Sequence, residues 1–194
     1  MSMESLIKKL QNIMRGDDLS GTVQYLKQMI WMIFLKIYDA QEEKWELLED
    51  DYTSIIPEEL KWRNWAVDNN DGKALTGDEL IKFVNDTLIM GLKKLEVNEY
   101  TPKRHLIVWQ MFQDASNFMK NGTKLRQMIN ELNEKDFTNS TETHEFGDMY
   151  ESMLKDLQES KRDGGEFYTP RALTDFIVEK VDPCLGEKVA DFAC

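Results

Sequence analysis

The sequence predicts a mainly α protein: a multi-helix domain over residues 1–160, then a different texture over 161–194. Three observations carry this. Apolar residues recur at helical spacing through the first 160 positions, and no run there alternates over a useful length as a strand would. After that, the polar connector Lys161-Arg162-Asp163-Gly164-Gly165 gives way to one helical pattern and one short apolar run.

Leu6, Ile7, Leu10, Ile13 and Met14 form an amphipathic stripe that Gly16-Asp17-Asp18 ends. A second helix is expected from about Leu19 to Leu48. Val23, Leu26, Ile30, Ile33, Phe34 and Ile37 share a stripe there, and residues 29–35 are apolar all round, so this helix is expected at the centre of the core. The acids from Glu46 to Asp51 read as a loop. Ile56-Pro57-Glu58-Glu59-Leu60 reads as a helix start, with proline in the first turn and acids at the positive end of the dipole. Trp62 and Trp65 are expected as core anchors rather than a base-stacking platform, because only Lys61 and Arg63 supply cations nearby.

Asn69-Asn70-Asp71-Gly72 is turn chemistry, and Thr76 with Glu79 forms a capping box before Leu80, Ile81, Val84, Leu88, Leu92 and Leu95. Further helices are expected at about 103–119, 123–133 and 145–160, the last two separated by Asn139-Ser140-Thr141. The run Val67–Asp78 imitates a calcium loop but has valine at its first ligand position and aspartate at its last, so calcium is not expected. Cys184 and Cys194, ten positions apart without a nearby histidine, form no zinc pattern and read as small apolar side chains of a reducing compartment. His105 and His144 stand alone, so no metal is expected.

The net charge is −12, of which residues 1–160 carry −10, so the front of the chain repels DNA unless a partner intervenes. The longest apolar run, Met29–Leu35, has seven residues, far short of the about 20 a membrane span needs. The N-terminus has no secretory pattern, and a cytoplasmic location is expected.

The end of the chain carries an ordered pattern. Glu166-Phe167-Tyr168-Thr169-Pro170 is extended, a helix follows from about Arg171 to Val181, Pro183 and Gly186 make a turn, and Lys188–Ala193 starts a short buried strand. Gly165-Glu166-Phe167-Tyr168-Thr169-Pro170-Arg171 resembles the N-terminal cofactor motif of amino-methylating DNA methyltransferases. Val189-Ala190-Asp191-Phe192-Ala193-Cys194 resembles the strand that in those enzymes leads into a Gly-Thr-Gly-Gly loop, with Phe192 where the family usually has proline. Phe146-Gly147-Asp148-Met149-Tyr150-Glu151 is similar to the helix preceding the motif in modification subunits of type I restriction–modification enzymes.

The resemblance implies that residues 161–194 hold the first helix and first strand of a truncated doubly wound α/β methyltransferase domain. It implies S-adenosylmethionine contacts from Glu166, Phe167, Tyr168, Thr169, Pro170, Asp191, Ala193 and Cys194. The residue types suit that cofactor: Phe167 and Tyr168 can wall an adenosyl group, Thr169 offers a hydroxyl, Pro170 presets the helix entry, and Asp191 can receive an ammonium group. It also implies adenine N6 as acceptor in DNA, and a specificity subunit, a restriction subunit and a second modification subunit as partners.

Base methylation in this family uses an Asn/Asp-Pro-Pro-aromatic motif to hold the flipped base. The four prolines here, Pro57, Pro102, Pro170 and Pro183, are never adjacent, so no catalytic residue is expected within this sequence. The expectation is an inactive N-terminal part with weak or no cofactor binding, serving subunit assembly. The alternative is part of a stand-alone N6-adenine methyltransferase or of a restriction–methylation fusion.

Overall fold

The computed structural model describes residues 3–68, 74–137, 171–184, 186–188 and 190. The chain divides into two units, Met1–Met153 and Leu154–Cys194, taken separately below. Several expectations lie outside the described residues: the Asn69–Gly72 turn, the Asn139–Thr141 loop, the 145–160 helix, the Lys161–Gly165 connector and the extended Glu166–Pro170 segment. So does most of the 188–193 strand. Lys188 and Ala190 are described and belong to no regular element, and no strand occurs among the described residues.

The first unit is helical, as its periodicity requires. Helix α1, Met3–Gly16, buries Leu6, Ile7, Leu10 and Met14 on the expected face. Helix α2, Thr22–Leu48, is the central element: Met29, Trp31, Met32, Ile33 and Leu35 are all buried. The expected stripe is only partly kept. Val23 is exposed, and Ile30, Phe34 and Ile37 are half-buried, because in a segment apolar all round the packing partners rather than the period choose the buried face. The helix ends at Leu48, as expected, with Glu46 inside its last turn and Glu49 at its C-terminal cap.

Pro57 precedes a 3-10 turn, Glu58–Leu60, rather than entering one long helix, and the short helix α3, Trp62–Trp65, follows. Both tryptophans are buried, their rings edge-to-face with centroids 5.1 Å apart. They act as the expected anchors. Helix α4, Gly77–Lys82, continues through a π segment, Phe83–Ile89, into α5, Met90–Lys93. Leu80, Val84, Leu88 and Leu92 are fully buried at a spacing of four. Four α-helical residues turn about 400°, so such a row drifts about 40° per step. The wider π turn takes up that drift and keeps the row on one face.

Helices α6, Lys103–Gln113, and α7, Gly122–Asn133, complete this unit. The α6 helix stops six residues before the expected end, and residues 114–121 form a loop instead. Gln28, wholly buried on α2, accepts from the Phe118 backbone N–H at 2.7 Å, and Asp17 accepts from those of Lys120 and Asn121 at 2.7 and 3.0 Å. Those acceptors satisfy amides that a continuing helix would have used internally.

The Thr76 capping box is not made: its side chain accepts no capping hydrogen bond. Gly77, the first helical residue, has φ +57, so the chain enters through a left-handed residue that carries the Thr76 hydroxyl away from the free amides. A Cβ on Gly122 would fall 1.7 Å from the Gly77 carbonyl oxygen. The helix starts of α4 and α7 therefore touch through backbone, which explains glycine at position 122.

In the second unit, α8, Arg171–Val181, has the bounds expected of it. Asp182 follows at φ +47 and donates its N–H to the Val178 carbonyl at 2.8 Å, a left-handed helix end. No helix among the described residues is long and apolar enough to cross a membrane.

Candidate functional site

All eight residues expected to meet the cofactor, Glu166, Phe167, Tyr168, Thr169, Pro170, Asp191, Ala193 and Cys194, lie outside the described residues. The helix that falls between them in sequence is described: α8 spans Arg171–Val181. Leu173, Phe176, Ile177, Val178 and Val181 along α8 are exposed. Beyond it, the exposed Cys184 donates its N–H to the Glu187 carboxylate at 2.9 Å.

The first unit contains a polar constellation that sequence reasoning missed. In its C-terminal half α2 carries Asp39, Glu42 and Glu46 at helical spacing, and Glu42 is wholly buried. One Glu42 oxygen accepts from the Ser54 hydroxyl at 2.6 Å and from Tyr52 at 2.8 Å, and the other lies 3.9 Å from Lys61 Nζ and 3.7 Å from an Arg63 nitrogen. Lys61, itself 3% exposed, donates to Glu46 at 3.0 Å and to Glu58. Arg63 donates to Glu46 at 2.6 Å and lies 3.6 Å from Asp39, which accepts the Arg63 backbone N–H at 3.1 Å.

The electrostatics follow from this packing. Burial works against the Lys61 charge, but hydrogen bonds to Glu58 and Glu46 outweigh it and raise the ammonium pKa. Burial also works against ionisation of Glu46, yet its bonds to Arg63 and Lys61 win and lower its pKa. For Asp39 burial prevails over the Arg63 charge and pushes the carboxyl up to about 6. Lys61 and Arg63 are thus committed to carboxylates within the fold and are not presented to phosphates. The cluster holds the segment 52–63 against α2; it does not form a nucleic-acid face.

Beside it lies a cleft of about 400 Å3, lined among others by Asp51, Tyr52, Ser54, Glu96, Thr101 and His105. Arg104 closes one side. Its guanidinium stands 5.0 Å from both the Trp45 and Tyr52 ring centroids and donates to the two Glu49 oxygens at 2.6 and 2.7 Å. His105 is buried with its ring edge-on to Tyr52, and its Nε2 has no hydrogen-bond partner. Burial and the neighbouring Arg104 push the imidazole pKa down, so the ring is held neutral. Among the described residues, no three His, Cys, Asp or Glu side chains gather as a metal site.

The one signal that could have exposed this constellation is the pairing of an acidic row on α2 with the two cations flanking Trp62. An acidic row on a helix is ordinarily a solvated face. Its burial depends on Lys61 and Arg63, which arrive from a different element.

Comparisons with known proteins match both parts of the chain. Residues 3–132 match the HsdM N-terminal domain, and residues 141–194 match the N-6 DNA Methylase family. The Type I restriction enzyme EcoEI methylase subunit of Escherichia coli is 53% identical over 195 residues, covering 100% of this chain and 39% of that protein. The StySPI methylase subunit of Salmonella potsdam is 26% identical over 171 residues, covering 86% of this chain and 28% of that protein. A solved chain from Vibrio vulnificus YJ016, a proposed type I modification subunit, aligns over 95% of this chain and 41% of its own length, with TM-score 0.78 and 33% identity. A second, from a structural account of complex assembly and conformational transition in the type I R-M system, aligns over 99% of this chain and 38% of its own, with TM-score 0.77 and 34% identity. The chain spans about 39% of the EcoEI relative's length. The helical unit, the Gly-Glu-Phe-Tyr-Thr-Pro-Arg segment and these matches agree: the chain belongs to the HsdM family, as an N-terminal part of a type I restriction-enzyme methylase subunit.

Proposed function

We propose that the parent protein transfers a methyl group from S-adenosylmethionine to the N6 amine of adenine in DNA, and that residues 1–160 serve to assemble the subunits. The match of residues 3–132 to the HsdM N-terminal domain carries the reading. In it, residues 161–194 open the methyltransferase domain. Phe167 and Tyr168 wall the adenosyl group, Thr169 bonds the methionine end, and Asp191 takes the ammonium. Glu166, Pro170, Ala193 and Cys194 shape the backbone around it. The cofactor, when bound, supplies the methyl group. The partners are a specificity subunit, a restriction subunit and a second modification subunit, with DNA held by the whole assembly, in the cytoplasm.

Residues 1–194 by themselves are inactive in this reading, because the sequence holds no Asn/Asp-Pro-Pro-aromatic segment to grip a flipped base. It also holds no Gly-x-Gly-Gly loop to bring backbone against the ligand. Calorimetric titration of the 194-residue chain with S-adenosylmethionine is expected to show no micromolar binding; micromolar affinity would contradict the cofactor half of the proposal. The assembly half is tested separately, by capture of a type I specificity subunit on the same polypeptide.

A further inference from the structure

One guanidinium of the helical unit is held the way a bound ligand is held. Trp45 in the last turn of α2, Glu49 at its C-terminal cap and Tyr52 just beyond surround Arg104, which arrives from α6. The Trp45 and Tyr52 ring centroids lie 5.9 Å apart and 5.0 Å each from Arg104 Cζ, while the two Glu49 oxygens accept from the two Arg104 Nη atoms at 2.6 and 2.7 Å. Two aromatic faces and a carboxylate around one cation are the chemistry of a guanidinium receptor. The receiving side is fixed independently of Arg104. Tyr52 is anchored by its hydroxyl, which donates to the wholly buried Glu42 at 2.8 Å, and Trp45 packs edge-on to Tyr38 with centroids 5.6 Å apart. Neither anchor comes from α6.

We propose that Trp45, Tyr52 and Glu49 form a binding site for an arginine side chain of a partner polypeptide, which Arg104 occupies in the free chain and vacates when the partner binds. Three features make Arg104 a replaceable occupant. Its pair with Glu49 lies at the surface, the side chains 32% and 42% exposed, and exposed ion pairs hold weakly. Its Nε is sealed from water without an acceptor, which works against the present seat. An arginine entering from solvent can make the same fork with Glu49 while keeping its Nε outside the rings. The exposed Asp50 and Asp51 follow Glu49, so the surroundings draw a further cation in. The resident side chain also sets the type of guest: a planar guanidinium stacks on both rings while meeting both Glu49 oxygens, and an ammonium group has no such fork.

This inference deepens the assembly reading and rests on it for the existence of a partner, but its test does not. The probe is the tripeptide amide Gly-Arg-Gly, compared with Gly-Lys-Gly and with the neutral isostere Gly-citrulline-Gly. Binding is followed by NMR on the intact 194-residue chain through the Trp45 indole N–H, identified by its loss in Trp45→Phe, and the Arg104 Nε–H, identified by its loss in Arg104→Ala. In the parent chain, saturating Gly-Arg-Gly is expected to shift the Trp45 signal and to speed exchange of the Arg104 Nε–H with water at least tenfold, as that nitrogen leaves the rings. In Arg104→Ala the vacated site is expected to bind Gly-Arg-Gly at least tenfold more tightly than the parent does. The lysine and citrulline peptides are expected to bind that variant at least tenfold more weakly than the arginine peptide. The parent-chain measurement stands even if the variant misfolds. An unshifted Trp45 signal, an Arg104 Nε–H that stays protected at saturation, no gain of affinity in the folded variant, or equal binding of the lysine or citrulline peptide would each overturn the proposal. Specificity-subunit capture can succeed when this titration fails, since contacts elsewhere on the helical unit do not use these rings.

Discussion

The helical unit and helix α8 treat their apolar residues in opposite ways. In the first, Trp31, Met32, Leu80, Leu88, Phe112 and Ile129 are all sealed from solvent, and even charged groups such as Glu42 and Lys61 are drawn in once paired. In α8, Leu173, Phe176, Ile177, Val178 and Val181 are 47–68% exposed. The helical unit has closed on a core of its own, whereas the α8 face has not. In the proposed reading, that face belongs against the parallel sheet of a methyltransferase domain.

Four substitutions separate the two behaviours. The largest effect is expected from Trp31→Ala, which empties a fully buried site packed edge-on against Phe112 at 6.5 Å; urea unfolding should show a loss of about 3–5 kcal/mol. Lys61→Met is expected to cost about 3 kcal/mol in the same measurement, because it leaves the wholly buried Glu42 with only Arg63 as a nearby cation. A loss below about 1 kcal/mol would mean that the cluster is solvated rather than structural.

A smaller effect concerns pH. The Asp39 carboxyl has a folded pKa of about 6 against 3.8 for an unperturbed aspartate, so the folded state binds the proton more tightly. Stability from this group is therefore highest below about pH 4 and is lost as pH rises through 6. Asp39→Asn removes that dependence while keeping an acceptor for the Arg63 N–H. The variant's stability relative to the parent should rise by about 2–3 kcal/mol between pH 4 and pH 7. A flat difference across that window would show that Asp39 is fully ionised in the fold. The smallest effect is expected at α8: Phe176→Ser should change unfolding of the helical unit by less than about 0.5 kcal/mol.

The same contrast explains what could be read from the sequence. Helices α1 and α8 were legible to within a residue or two, since each repeats one apolar face and ends at Gly16 or at Asp182-Pro183. Trp62 and Trp65 were legible as anchors because aromatic bulk with few cations favours a core. The buried face of α2 was not, since a segment apolar on every side leaves that choice to its neighbours. Nor was the unmade Thr76 cap, which reflects a backbone contact between Gly77 and Gly122, 45 positions apart. The acidic row Asp39, Glu42 and Glu46 resembles a solvated face, and only tertiary contact with Lys61 and Arg63 turns it inward. The residues expected to meet the cofactor, Glu166–Pro170, Asp191, Ala193 and Cys194, were named only through family resemblance and lie outside the described residues.

The most direct test of the central claim is a paired binding experiment on the 194-residue chain at physiological salt, with a type I specificity subunit in one arm and duplex DNA alone in the other. The account predicts a stable complex with the subunit and no retention of naked DNA, because the helical unit's net charge is negative and its central cations are spent on carboxylates. Tight, salt-sensitive binding of DNA together with no capture of the subunit would contradict it.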